Sequence, residues 1–361
     1  MTKYIIRRII QAIPLLVLIT ILIFGLLKLA GDPFAAQMID PNVSEEDMAY
    51  RRRAAGLDDP LPLQFIHWYL GDDWYQRDLR PNNDPCIADS TVVCAWGEFD
   101  GEVDTPGTRK GILRGDFGIS LRFQRPVVEV IQDRLPNTLI LASTALTTTI
   151  LLGVAIGMLA ALRPYSLFDN IVTTLSFVTF SMPIFLIALL AVFVFSVKFK
   201  EWGLPYLPTQ GMYDPRGDRS LDELLIRLIL PTFSLAAIQI AAYSRFIRAS
   251  MLEAINSDYI RTARAKGLTN RRIVLVHAFK NASFPLITLV ALDIPTYLGG
   301  AVVTETIFSW PGMGKLFIDS LTNLDPPILL AFTLLVAVSV VVFQLLADIV
   351  YAWVDPRVRY T

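Results

Sequence analysis

The sequence predicts an all-α polytopic membrane protein: six transmembrane helices, with a mixed loop subdomain outside the membrane between the first and the second. Three observations predict it. The 361 residues are 53% hydrophobic with a mean hydropathy of +0.49, a combination that water-soluble domains rarely carry. Long apolar runs recur six times, and ~20 residues rising ~1.5 Å each cross the hydrocarbon of a bilayer. The near-zero net charge of −1 hides a segregation of charge between the segments that join those runs.

The first helix follows Lys3, Arg7 and Arg8 and runs from Ile9 to Leu27, interrupted only by Gln11 and Thr20 among polar residues. A cleaved signal peptide is the rival reading, but its apolar region is normally ~7–15 residues and ends in a small-x-small site. This run is longer and ends GLLKLAGDP, which favours an uncleaved span.

Residues 31–136 are polar, with 11 Lys/Arg against 19 Asp/Glu. Phe65, Trp68, Tyr69, Trp74, Tyr75, Trp96 and Phe99 give the segment enough apolar surface for an ordered subdomain. Cys86 and Cys94 lie within it. An extracytoplasmic location permits a short-loop disulfide between them, and two unpaired thiols are the alternative. His67 beside Trp68 reads as a packed side chain, since no second ligand lies near.

The second helix is expected over 139–162, ending at Arg163-Pro164. The third is expected over 171–197, kinked at Pro183, which removes a backbone hydrogen bond. The fourth runs from about Leu228 to Tyr243, the fifth from Phe284 to about Phe308, and the sixth from Ile328 to Trp353. Gly299-Gly300 offers a thin face for another helix. Trp310-Pro311-Gly312 reads as a break before a short interfacial piece, with Trp310 at headgroup level.

Orientation follows from the charges. With the N-terminus inside, the inner segments hold 14 Lys/Arg and four acids, and the outer ones 17 Lys/Arg and 26 acids. Both termini are therefore expected in the cytoplasm. Two cysteines and two histidines are too few for a zinc or iron–sulfur centre, and neither a metal site nor another cofactor is expected. The basic residues show no nucleic-acid-reading pattern. There is no GxSxG, HExxH or paired-histidine set. GMGKL at Gly312–Leu316 mimics a phosphate-binding loop, but Ser309 and Leu316 stand where that loop needs a glycine and a magnesium-binding hydroxyl. The chain is not expected to be an enzyme.

Residues 245–280, RFIRASMLEAINSDYIRTARAKGLTNRRIVLVHAFK, form a polar island between two apolar runs, with eight Lys/Arg and two acids. Ser257 or Asp258 can cap a helix through YIRTARAK. Ala263 and Ala265 keep it slim, and Gly267 can end it in a left-handed turn. Thr269 or Asn270 can cap a second helix through Ile273, Val274 and Val276. The result is a basic helical elbow. An ordinary cytoplasmic loop obeying the positive-inside rule has the same composition.

DYIRTARAKGL and HAFKNA in this island resemble the loop by which permeases of ABC importers dock on their ATPases, and specifically that of the peptide branch (dipeptide/oligopeptide, peptide/nickel). The general importer pattern is Glu-Ala-Ala, three residues, Gly, then nine residues before Ile-x-Leu-Pro. Arg261, Thr262 and Ala263 stand at its first three places, Gly267 fits, and His277, Phe279 and Lys280 replace the last part. GLDDPLPLQFIHWYL, RGDFGISLRFQRPVVEVIQDRLPNTL and VVTETIFSWPGMGKLFIDSL are similar to further segments of that branch, leaving about 71–113 as an insertion.

The resemblance implies a type I ABC importer permease fold. It would be built as 1–30 (inner tail and first helix), 31–136 (outer subdomain), 137–353 (permease core) and 354–361 (inner tail). It implies the plasma (inner) membrane of a bacterium or archaeon. The expected partners are a second homologous permease, giving a heterodimer, two cytoplasmic ATP-binding subunits, an extracytoplasmic solute-binding protein, a peptide substrate and the lipid bilayer. Glu253, Asp258, Tyr259, Arg261, Thr262, Ala263, Arg264, Ala265, Lys266 and Gly267 would couple to the ATPases. Asp293 and Glu305 are ionisable residues in or near a span. They either line a translocation path that meets peptide amino groups or, for Glu305, lie at a helix end against another chain. Two readings from other classes compete: an ion-coupled secondary transporter, which would need internal repeats the chain lacks, and a membrane-anchored enzyme or receptor acting through residues 31–136.

Overall fold

The computed structural model describes residues 2–29, 52, 56–74, 110–283, 286, 289–291, 293–295, 297 and 301–354. Cys86, Cys94, most of the 71–113 insertion, Gly299-Gly300 and the tail from 355 on lie outside them. The described residues are almost entirely helical; Ile119 and Pro126 form an isolated bridge.

Helix α1 is Thr2–Leu29, α2 Leu61–Leu70, α3 Val127–Leu162, α4 Leu167–Ser181, α5 Ile184–Val192, α6 Leu221–Ile255 and α7 Asp258–Ala265. α8 opens at Asn270–Arg272, widens into a π turn over Ile273–Ala278 and closes at Phe279–Ala282. α9 is Val302–Ile307, α10 Met313–Thr322 and α11 Pro326–Val354. Among the described residues α3, α6 and α11 are long and apolar enough to cross a membrane, and a bent pair beginning at Leu167 makes a fourth; α1 carries a shorter apolar stretch, Ile10–Leu26. The expected fifth span falls partly on residues outside the description, and those described between 286 and 297 are helical.

Three boundaries differ from the expectation. α3 begins at Val127, and α6 extends from Leu221 to Ile255, so both reach well past their apolar runs. Ser220 starts α6 by accepting the Glu223 amide, a hydrogen bond that outweighs the polarity of the first turn. Pro183 does not kink a continuous helix. Met182 and Pro183 are both extended, and the axis turns by 109° between α4 and the helix from Ile184 to Glu201. A proline disfavours helical geometry in the residue before it and is pre-set to begin the next helix.

The chain divides into two compact units. One takes in Ile13–Asp133 and Asp319–Leu335. In it Phe24 stacks on Trp68 at 5.7 Å and meets Phe65 edge-on at 5.5 Å. His67 is buried, with Nδ1 3.2 Å from Asp59 Oδ2. The two ends of the insertion meet here. Arg114 donates to both oxygens of Asp73 at 2.6 Å and to the Leu70 carbonyl at 2.8 Å. A Cβ on Gly111, whose φ is +80°, would lie 2.2 Å from the Gly71 nitrogen. The chain thus leaves and returns at one point. The Arg114 guanidinium also holds the exposed Asp73 carboxyl below its usual range. The carboxylate of buried Asp325 gathers the turn at 120–122, accepting from Ser120 Oγ at 2.5 Å and the Arg122 amide at 3.2 Å.

The other unit is centred on Arg134–Ile318. α3 and α6 approach closely, because a Cβ on Gly157 would lie 2.6 Å from the Ser244 carbonyl oxygen and one on Gly153 2.7 Å from Tyr243 Cβ. One core cluster, around Tyr243, Ile247, Met251, Ile260, Val274 and Ala278, sits beneath the elbow. A second, around Leu141, Leu228, Leu235, Tyr297 and Trp310, sits towards the other end of α6.

Candidate functional site

The elbow is a helical hairpin built from both its sequence and its support. α6 ends when Asn256 and Ser257 leave the helix. The Ser257 hydroxyl does not cap α7 as expected. It donates back to the Ala254 carbonyl at 2.5 Å and closes α6 instead. α7 is amphipathic over two turns: Ile260 and Ala263 are buried in the first core cluster, while Asp258, Tyr259, Arg261, Thr262, Arg264, Ala265 and Lys266 are exposed. Full burial of one isoleucine contributes ~1.5–3 kcal/mol, which anchors so short a helix. Ala263 and Ala265 therefore lie on different faces, since a helix turns about 100° per residue.

The C-terminus of α7 is closed by two backbone bonds, Gly267 N–H to Arg264 O at 2.9 Å and Leu268 N–H to Ala263 O at 3.3 Å, with Gly267 at φ +76°. This is the paired 5→2 and 6→1 closure that glycine permits. Leu268 completes it by packing against the same core as Ile260. No atom lies within 4 Å of a Cβ built on Gly267, so the tip is open. Glu253, one turn above in α6, is also exposed.

Not all the cations of the island face outward. Arg248 makes a two-point ion pair with Asp169 at the start of α4, with Nη2 to Oδ2 at 2.7 Å. The Arg245 guanidinium lies 4.2 Å from the centroid of the Phe177 ring. Both fasten the root of the elbow to α4. Asp169 also accepts the Tyr165 amide at 2.7 Å while its own amide donates to Ser166 Oγ at 3.3 Å, a reciprocal cap of α4. Asp169 is one of the four acids of the inner segments, and Ser166-x-x-Asp169 before an apolar run is the sequence signal for this cap.

The two acids expected in the spans have different surroundings. Asp293 is half-buried, and the buried Tyr243 hydroxyl donates to its Oδ2 at 2.7 Å. Nearby in the same unit Thr149 and Tyr297 share a hydrogen bond of 2.9 Å. Polar groups from α3, α6 and the fifth helix thus cluster inside apolar segments. Glu305 is sealed off: it is 0% exposed, accepts from Thr138 Oγ1 at 2.7 Å and the Lys315 amide at 3.0 Å, and leaves no room for a Cβ on Gly312. Both of its carboxyl oxygens are thus engaged within this unit. Trp310 is likewise buried, donating its indole N–H to the Asn137 carbonyl at 2.9 Å. The turn after α9 folds back on α3, and this acid and indole are what it buries.

Comparison with known proteins finds relatives along the whole chain. A model of the binding-protein-dependent transport system inner membrane component matches residues 153–360, and one of the N-terminal part of such membrane components matches residues 1–93. The oligopeptide transport system permease protein AppB of Bacillus subtilis is 38% identical over 362 residues, covering 100% of both chains. The dipeptide transport system permease protein DppB of Escherichia coli is 32% identical over 382 residues, covering 100% of this chain and 99% of that one. A solved structure of the MetNI methionine ABC transporter superposes with a TM-score of 0.49 at 16% identity, covering 63% of this chain and 97% of that one.

Proposed function

The chain belongs to the binding-protein-dependent transport system inner membrane components, and from that membership we propose that it is the peptide-conducting permease of an ATP-driven importer. Its partners are a second permease of similar fold, two ATPase subunits, and a solute-binding protein on the opposite side of the membrane. It sits in a bacterial or archaeal plasma membrane with both termini and the 245–280 elbow inside. Peptides, dipeptides or longer ones, are the substrate, in keeping with the names of the relatives. ATP is hydrolysed in the separate subunits.

The observation that carries this reading is the face of α7. Its apolar side is bound into the core, while Tyr259, Arg261, Arg264 and Lys266 stand exposed beside an open glycine tip. A surface so rooted transmits force from whatever grips it. Coupling then requires that the ATPases hold the elbow differently with and without ATP, so that the permease conformations differ in free energy between the two states. We assign the passing contact with a peptide ammonium to the half-buried Asp293, whose Oδ2 accepts from Tyr243, because acids among apolar helices usually face a bundle interior or a water-filled cavity.

The test is Gly267→Val. Nothing obstructs the new side chain within this chain, so its cost is the left-handed backbone, ~1–2 kcal/mol. The variant should insert in the membrane and accumulate normally, lose ATP-dependent peptide uptake, and retain less ATPase on co-purification. Undiminished uptake would remove the docking role from the elbow.

A further inference from the structure

Where α3 ends, a cleft of about 550 Å³ opens between it and the first turns of α8. Ala155, Met158, Leu159 and Leu162 form one wall, at the i, i+3, i+4, i+7 spacing of a single helix face. Val274 and Leu275 form the other wall, and Asn270 and Arg271 the rim. Leu159, Leu162 and Leu275 remain 55%, 42% and 46% exposed, so nothing among the described residues fills the space between them.

The cleft lies at the end of the apolar part of α3. Residues 155–162 are the last two turns of a membrane-length helix, and at ~1.5 Å per residue they descend ~10 Å, most of one leaflet's hydrocarbon. The rim is then at the level of the lipid headgroups, and it is cationic. Arg271 lines it, Arg272 follows, and Arg163 directly succeeds Leu162; all three are exposed. Among the described residues no acidic side chain lines the cleft. An apolar helix of another protein would cover the walls and bury the rim arginines without a counter-charge, which costs several kcal/mol per ion. An acyl chain beneath a phosphate satisfies both halves, and basic clefts between membrane helices are known to take such headgroups.

We propose that this cleft binds an anionic phospholipid, with one acyl chain between α3 and α8 and the headgroup phosphate at Arg271 and Arg163. Since α8 is the return arm of the elbow, the bound lipid would brace the element that follows Gly267.

The test uses the assembled transporter, exchanged into nanodiscs made of phosphatidylcholine alone or of an equal mixture with phosphatidylglycerol. Retained lipid is then counted by native mass spectrometry. Wild type should keep phosphatidylglycerol in preference to phosphatidylcholine. Arg271→Gln should weaken that retention about fivefold, the effect of one headgroup-level charge. Ala155→Trp, which fills the floor and leaves every charge in place, should abolish it. Arg216→Gln, an exposed arginine on the loop between α5 and α6, should leave it unchanged. Retention that is equal in Arg271→Gln and wild type, or equal for the two lipids, overturns the proposal. So does an Ala155→Trp transporter that sheds its second permease while holding phosphatidylglycerol as before, because the cleft would then be a protein interface. Should Ala155→Trp fail to assemble, Arg271→Gln alone decides.

Discussion

Arg248 and Asp169 lie 79 residues apart in sequence and form a two-point ion pair across α6 and α4, with Asp169 almost wholly buried and Arg248 a quarter exposed. The pair stands at the root of the elbow, two turns above the residue where α6 ends. It ties α6 to α4 shortly before α6 gives way to α7.

Removing either partner should therefore cost stability and coupling together. Breaking a buried pair typically costs ~3–5 kcal/mol because it strands a charge, and the partial exposure of Arg248 puts this case near 3. Arg248→Met is expected to lower the unfolding temperature of the detergent-solubilised chain and to reduce uptake. Asp169→Asn should do less, since an amide oxygen still caps α4. The double variant should recover part of the loss in unfolding temperature. Equal stability of Arg248→Met and wild type would make the pair incidental.

Much of the architecture was legible because membrane-spanning helices follow from composition. The apolar runs announced α3, α6, α11 and the bent pair beginning at Leu167, and Gly267 announced the end of α7. What was not legible is what the helices do to each other. Pro183 was visible, yet a 109° turn needs Met182 to go extended as well, and no residue type announces that. Glu305 and Trp310 carry the chemistry of a path acid and an interfacial indole; only the fold of the turn after α9 reveals that they are buried against α3. Gly153-x-x-x-Gly157 was the signal sequence reasoning passed over in favour of Gly299-Gly300, although the spacing places two glycines on one helix face.

That glycine pair supplies the second stability test. At Gly157 a Cβ would meet the Ser244 carbonyl oxygen at 2.6 Å and Ile247 Cβ at 2.9 Å, and backbone cannot move aside as a side-chain tip can. Gly157→Ala should destabilise by ~1–3 kcal/mol, the usual cost of overpacking. Gly25→Ala is the matched control, because no atom lies within 4 Å of its Cβ and alanine is the better helix former by ~1 kcal/mol. Denaturant unfolding should move the midpoints in opposite directions. Parallel shifts would mean that α3 and α6 are farther apart in the working protein.

The last test concerns Gly312 and Glu305. A Cβ on Gly312 would sit 2.3 Å from Glu305 Oε1, and that carboxylate cannot swing away without releasing Thr138 Oγ1 and the Lys315 amide. Gly312→Ala should therefore cost ~1–3 kcal/mol as overpacking. Glu305→Ala should cost a similar amount by leaving buried donors unpaired. The two losses share one cause, the space the carboxylate occupies, so they should not add. In Gly312→Ala/Glu305→Ala the methyl group enters room already vacated, and the coupling read from the double-mutant cycle should reach ~1–2 kcal/mol. Additive losses would show that the turn after α9 relaxes around a methyl group at Gly312, and that the acid and the glycine act separately.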